Sequence, residues 1–233
     1  TITVTNVDEA PTAISVSSLS VAEDAAAGTR VGVITVTDPD SGETYAAAQL
    51  TLAGDDAANF VIADDNGDIE LNVNAALDFE GGNLDITIAA EDPDNNALTL
   101  AAQSFTVTLT DVDEAPTAIS LSTTSVSESS SAGSTVATIS VTDPDSGESY
   151  SADDLTLAGA DAGEFTISDS GNDIILTHDN ALDFESDSSY AITIAADDPD
   201  DENLALAAQA FTITVTDAAV TVTSGQTDTD TSE

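Results

Sequence analysis

Carboxylates are the only reactive groups this 233-residue chain holds in quantity: 45 Asp and Glu stand against one Arg, one His and no Lys or Cys. That inventory restricts the chemistry. Nucleophilic triads need a base beside the nucleophile and Schiff-base catalysis needs an amine, so both lack parts. Without cysteine there are neither disulfides nor thiolate metal sites. Paired carboxylates can hydrolyse glycosidic bonds, but no pair falls in an evident cleft and no Trp is present to seat a sugar. An enzyme is not expected. What remains is oxygen-only coordination of a hard cation, for which Ca²⁺ is the best match and Zn²⁺ or Cu²⁺ poor ones. A net charge of −44 repels nucleic acid. It also calls for counter-ions, either bulk cations as in high salt or specific divalent ions.

The acids recur at fixed spacing. Asp111-Val112-Asp113-Glu114-Ala115-Pro116 repeats Asn6-Val7-Asp8-Glu9-Ala10-Pro11 and joins two copies of one pattern. Pro11, Pro39, Phe60 and Phe79 return 105 residues later as Pro116, Pro144, Phe165 and Phe184. Pro93 and Phe105 return 106 later as Pro199 and Phe211, so one residue is added near 186–189. Solenoid repeats are shorter, about 20–50 residues, so these are tandem domains. The expected division is a preceding repeat's last strand and linker at 1–11, one repeat at 12–113, a linker at 114–116, a second repeat at 117–218 and a polar, disordered tail at 219–233. No apolar run approaches the ~20 residues of a membrane span. The chain begins at Thr1 with no signal peptide and reads as a segment of something longer.

The elements that must position these acids are strands. Short runs rich in Val, Ile and Thr alternate apolar with polar residues and are bounded by turn residues. In the first copy they fall near 13–21, 31–38, 49–53, 60–63, 68–73, 84–92 and 98–111. The expected fold class is all-β: two tandem seven-stranded Greek-key, immunoglobulin-like β-sandwiches in a linear array.

Residues two apart on a strand share a face. Leu84, Ile86, Ile88 and Ala90 form an inward face that Asp92 continues; Asp38 continues Ile34 and Val36, and Asp111 continues Phe105, Val107 and Leu109. A carboxylate in phase with the core is costly unless something compensates it. With strands alternating up and down, Asp38, Asp40 and Asp92 share one end of the sandwich. Glu23, Asp78, Glu80 and Asp111 share the other. Head to tail, nine carboxylates converge on the central joint: Glu23, Asp78, Glu80, Asp111, Asp113, Glu114, Asp143, Asp145 and Asp198. Three Ca²⁺ ions would leave a tolerable residual charge on them.

These motifs resemble cadherin repeats. The resemblance rests on Ala22-Glu23-Asp24, Leu77-Asp78-Phe79-Glu80, the Ala-Pro-terminated acidic joint, Asp143-Pro144-Asp145 and Ala196-Asp197-Asp198, and it covers both copies. Leu157-x-Gly159-x-Asp161-Ala162-x-x-Phe165 is similar to the cadherin-like modules of large bacterial, biofilm-type surface adhesins. The resemblance implies a secreted or cell-surface location and a Ca²⁺-stiffened extender. Glu23, Asp78 and Glu80 would then be ligands from the preceding repeat, Asp111 with Asp113 or Glu114 from the linker, and Asp143, Asp145 and Asp198 from the following repeat. The joint is one residue shorter than the usual animal linker, leaving two or three ions open. Adhesion by exchange of an N-terminal Trp strand has no Trp to use. An N-terminal half-site (Asp8, Glu9, Asp38, Asp40, Asp92) and a C-terminal one (Glu128, Asp183, Glu185, Asp217) each lack a neighbouring repeat's share.

The implied partners are neighbouring repeats of the same chain, in a monomer with no membrane insertion. The alternative is a module that binds carbohydrate or its own kind, with Tyr45, Tyr150 and Tyr190 as stacking candidates. Asp64-Asp65-Asn66-Gly67-Asp68 reads as a plain hairpin turn, and His178 as a solvated loop residue.

Overall fold

The alternating runs form sixteen strands and no α-helix among the residues described, 2–3, 7–40 and 42–218 of a computed structural model. The chain divides into two units, Thr1–Val112 and Asp113–Glu233. In the first, β1 (Ala13–Val16), β3 (Arg30–Thr37), β6 (Asp68–Val73) and β5 (Phe60–Asp65) make one sheet in that order. The other sheet is β2 (Ser20–Ala22), β8 (Thr99–Thr110), β7 (Leu84–Glu91) and β4 (Leu50–Ala53). The second unit repeats both. Its sheets are β9 (Ala118–Leu121), β11 (Thr135–Thr142), β14 (Asp173–His178), β13 (Phe165–Ser170), and β10 (Ser125–Ser127), β16 (Ala205–Thr216), β15 (Ser189–Asp197), β12 (Leu155–Ala158). These are the two expected sandwiches.

The core lies between the sheets of each unit. Ile34, Ile69, Leu71 and Val73 meet Ile86, Ile88, Val107 and Leu109 in the first, and Ile139, Ile174 and Leu176 meet Ile192, Ile194, Ile213 and Val215 in the second. Full burial of each such side chain stabilises by about 1.5–3 kcal/mol. The strand expected at 13–21 is divided. β1 pairs antiparallel with β3 and β2 pairs parallel with β8. Ser17 N–H still reaches Val33 O, whereas Leu19 O already accepts from Thr108 N–H. Between those residues the chain changes sheets, so one sequence run seals an edge of both layers.

Two turn signals have structural causes. Asn66 (φ 52°) and Gly67 (φ 97°) form the two-residue loop between paired Asp65 and Asp68, a turn that needs positive φ at both positions. Gly54 and Gly159, at φ +109° and +110°, lie so near β7 and β15 that a Cβ would sit 2.9 Å from backbone atoms. Two residues on, Asp56 and Asp161 accept from Asp85 N–H and Ala191 N–H at 2.7 Å. The Leu-x-Gly-x-Asp motif therefore fastens an edge loop to the sheet.

His178 departs from expectation. It is the last residue of β14, fully buried, and occupies the place of Val73. The period of two explains this: Ile174 and Leu176 point inward, so His178 does too. Its Nδ1 lies 2.9 Å from Asn180 O, and Nε2 has no partner. The expected tail at 219–233 lies outside the described residues.

Candidate metal centre

Asp92 follows β7 in phase with Ile86, Ile88 and Ala90 and is fully buried, as expected. Its Oδ1 accepts from Asp94 N–H and Asn95 N–H, both at 2.9 Å, while Oδ2 has no partner. Asp38, leaving β3, accepts from Asp40 N–H on Oδ1 (2.8 Å) and from the Tyr45 hydroxyl on Oδ2 (2.5 Å). Asp40 Oδ2 in turn accepts from Glu9 N–H at 2.7 Å. Oxygens of Asp8, Glu43 and Asp92 lie within 4.8 Å of one another, as do those of Asp38, Asp40 and Glu43. A surface depression of about 460 Å³ opens over Asp8, Asp40 and Glu43.

The second unit builds the same end from the same residue types. Asp198, 1% exposed, accepts from Asp200 N–H and Asp201 N–H on Oδ1 and leaves Oδ2 without a partner. Asp143 accepts from Asp145 N–H and the Tyr150 hydroxyl, and Asp145 accepts from Glu114 N–H at 2.7 Å. Asp113, Glu148 and Asp198 bring oxygens within 4.8 Å of one another.

Crowding of like charge marks both ends. Desolvation, then Asp38, Asp92, Asp40 and Asp8, push Glu43 up to about 7. Desolvation, then Asp143, Asp198, Asp145 and Asp113, do the same to Glu148, again to about 7. Asp8 and Asp113 are raised by desolvation and by the acids around them. Tyr45 and Tyr150 are held well above the usual phenol range by burial and by donating to Asp38 and Asp143.

The opposite end of each unit is tied by a glutamate. Glu23, 7% exposed, accepts from Phe79 N–H on Oε2 (2.7 Å) and from Val112 N–H on Oε1 (2.9 Å). It thereby fastens the Asp78–Glu80 turn to the residue after Asp111, and oxygens of Glu23, Asp78 and Glu80 lie within 4.8 Å of one another. Glu128 accepts from Phe184 N–H (2.9 Å) and Ala218 N–H (2.7 Å). These bonds lower its pKa, with a smaller contribution from Asp217. Asp183 is also lowered, by Ser186 and Glu185.

Asp111 corrects the phase argument. It is exposed rather than inward, because β8 ends at Thr110 and the chain leaves the sheet there. Glu43 and Glu148 escaped the sequence reading altogether. The signal that could have found them is the repeat itself: Asp-Pro-Asp-Ser-Gly-Glu-x-Tyr recurs whole at 38–45 and 143–150, not merely its Asp-Pro-Asp. Of the tyrosines, Tyr45 and Tyr150 donate their hydroxyls to aspartates, and Tyr190 packs edge-on against Phe165 at 5.7 Å.

Oxygen donors only, three of them buried without a partner (Glu43 Oε2, Asp92 Oδ2, Asp198 Oδ2), suit a hard divalent cation. The chain's single Arg or Lys, Arg30, is already paired with Glu70 at 2.8 Å. The donor set therefore fits Ca²⁺ and has no protein cation to use instead.

Comparison with known proteins agrees. The Cadherin domain family model matches residues 17–110 and 122–224. Mouse protocadherin Fat 4 is 31% identical over 78% of the chain, and human protocadherin-23 is 32% identical over 73%. The chain spans only 4% and 5% of those two proteins. Among solved structures, PcdhgB3 EC1-4 superposes with a TM-score of 0.59 at 27% identity, covering 88% of this chain and 50% of that one. Human protocadherin-24 EC1-2 superposes at 0.60 and 19% identity, a likeness of fold, over 91% of this chain and all of that one. Cadherin domains are adhesion modules found in extracellular or cell-surface proteins, and as a family bind Ca²⁺ at the linkers between repeats. Family match and fold together establish that this chain is a member of the cadherin domain family, in two tandem copies.

Proposed function

We propose that the chain is a Ca²⁺-stiffened extender segment of a large secreted or cell-surface adhesin, with two or three ions held at the central joint. Glu23, Asp78, Glu80 and Asp111 are contributed by the repeat at 12–113. Asp113 closes that repeat, Glu114 comes from the joint at 114–116, and Asp143, Asp145 and Asp198 come from the repeat at 117–218. The observation that carries this reading is Asp198, a carboxylate 1% exposed with one oxygen unpartnered, in a chain with no cation to spare. Bound there, Ca²⁺ supplies positive charge and a many-oxygen coordination sphere. The chain's residues do the rest. Glu23, accepting from Phe79 N–H with one oxygen and Val112 N–H with the other, holds Val112, and thus the Asp-x-Asp of the joint, against the first module. Asp145 holds Glu114 N–H against the second. Asp113 stands between these anchors, so neutralising the acids around it lowers the repulsion within the joint.

The relatives found are animal proteins; a bacterial parent is proposed from the Leu-x-Gly-x-Asp motif and is checked by the flanking gene sequence. Chelation provides the functional test. One site at 100-fold excess over its Kd stabilises by about 2.7 kcal/mol, so chelation lowers the melting temperature, and NaCl at equal ionic strength does not restore it. Small-angle scattering should show a more flexible particle without Ca²⁺. Restoration by NaCl, or scattering that ignores Ca²⁺, refutes the reading. Like-with-like adhesion is the second reading, favoured by family membership; concentration-dependent association in Ca²⁺, followed by sedimentation, would replace the extender with it.

A further inference from the structure

We propose that Glu43 and Glu148, in the loop after each Asp-Pro-Asp, are direct cation ligands. Each would add a carboxylate to the site formed by the buried aspartate (Asp92, Asp198) and the joint aspartate (Asp8, Asp113). This deepens, and rests on, the Ca²⁺ reading above.

Four observations converge. Glu43 Oε2 is sealed from solvent and has no hydrogen-bond partner. Its carboxylate sits in a group with Asp92, a fully buried residue whose Oδ1 is engaged by two backbone N–H groups and whose Oδ2 has none. An unpartnered, buried carboxylate oxygen costs free energy unless a cation meets it, and Glu43 and Asp92 each hold one in a group whose carboxylates, Asp8 included, bring oxygens within 4.8 Å of one another. Ca²⁺–oxygen distances are about 2.3–2.6 Å, so oxygens across one ion are roughly 5 Å apart or less, which matches that separation. The three-carboxylate group recurs in Asp113, Glu148 and Asp198, where Asp198 Oδ2 is again without a partner and Glu148 Oε2 accepts from the Tyr150 hydroxyl at 3.4 Å.

The loop explains why glutamate is needed. The Tyr45 hydroxyl and Asp40 N–H each engage one oxygen of Asp38, holding the loop's first acid at its place. Gly42, at φ +99° with no atom within 4 Å of its Cβ position, turns the chain back. Glu43 follows immediately and has the longer side chain with which to reach the Asp92 oxygen. Gly147 (φ +102°) and Glu148 repeat the device. The glutamates at the far end of each unit differ: both oxygens of Glu23 and of Glu128 are occupied by backbone N–H groups.

The test uses the full chain and Ca²⁺ in calorimetric titration, with Glu43→Gln, Glu148→Gln, the double variant and Glu164→Gln as control. Glutamine keeps the volume but removes the charge. Each single variant should weaken one Ca²⁺ equivalent by at least about tenfold, in line with the dependence of affinity on ligand charge. The double variant should weaken two, and the control none. Melting gives a second readout: without metal the variants melt higher than the parent, because like charge is relieved, while their gain from Ca²⁺ is smaller. Wild-type stoichiometry and affinity in both single variants overturns the assignment and leaves the inter-repeat reading standing. A parent chain that binds no Ca²⁺ overturns both.

Discussion

Glu23→Gln tests whether the glutamate at the far end of the first module is a backbone clamp as well as a cation ligand. Glu23 is 7% exposed and accepts two backbone hydrogen bonds, from Phe79 and Val112. Bonds to a charged acceptor contribute about 1.5–3 kcal/mol each. Glutamine offers one oxygen and one NH₂, so one bond becomes a neutral bond of about 0.5–1.5 kcal/mol and the other places two donors face to face. The gross loss is roughly 2–4 kcal/mol. Against this stands relief of repulsion from Asp78 and Glu80, which are exposed and therefore screened to about 1 kcal/mol or less each. The bonds win by about 1–3 kcal/mol. At about 4–8 °C per kcal/mol for a module of this size, its transition falls by roughly 5–20 °C. The assay is differential scanning calorimetry in chelator, where loss of a cation ligand cannot contribute. An unchanged or raised transition would refute the clamp and show that repulsion dominates.

Other substitutions test separate parts of the structure. His178→Val installs the residue that the first module carries as Val73, removing a buried Nε2 without a partner; chemical denaturation should show unchanged or higher stability, by up to about 1 kcal/mol, and a marked loss would mean that the Nδ1 contact to Asn180 O outweighs it. Arg30→Thr strands the nearly buried Glu70, whose other side-chain donor among the described residues is Asn72 at 3.5 Å. With Arg30 itself half exposed, the loss should be smaller than for a fully buried pair, and adding Glu70→Ile, which copies Thr135 and Ile175 of the second module, should recover most of it. Glu80→Ala should abolish the tightest Ca²⁺ class in a titration while leaving both sandwiches folded, whereas Glu185→Ala should touch only a weak class; equal effects would place the ions elsewhere.

The sequence by itself determined the repeat and the two sandwiches. Those features are local or periodic: alternation by two puts Ile86, Ile88, Ala90 and Asp92 on one face, and a 105-residue period exposes every motif twice. The same rule, followed faithfully, places His178 in the core, since phase outranks polarity when the neighbours at two and four residues are buried. Only the tertiary structure decided the rest. The run at 13–21 looks continuous because both of its halves alternate; that β1 joins β3 and β2 joins β8 depends on partners 20 and nearly 90 residues away. Asp111 looks inward by phase, but the phase ends where the sheet ends, and hydrogen bonding alone fixes that point. Which carboxylate oxygens are engaged and which are left bare is likewise invisible in a one-dimensional reading. Asp92 and Asp94 are the same residue two apart, yet Asp92 is buried with one oxygen unpartnered and Asp94 is exposed. Desolvation is a property of the packed neighbourhood, and it sets Asp92 apart from one more surface acid.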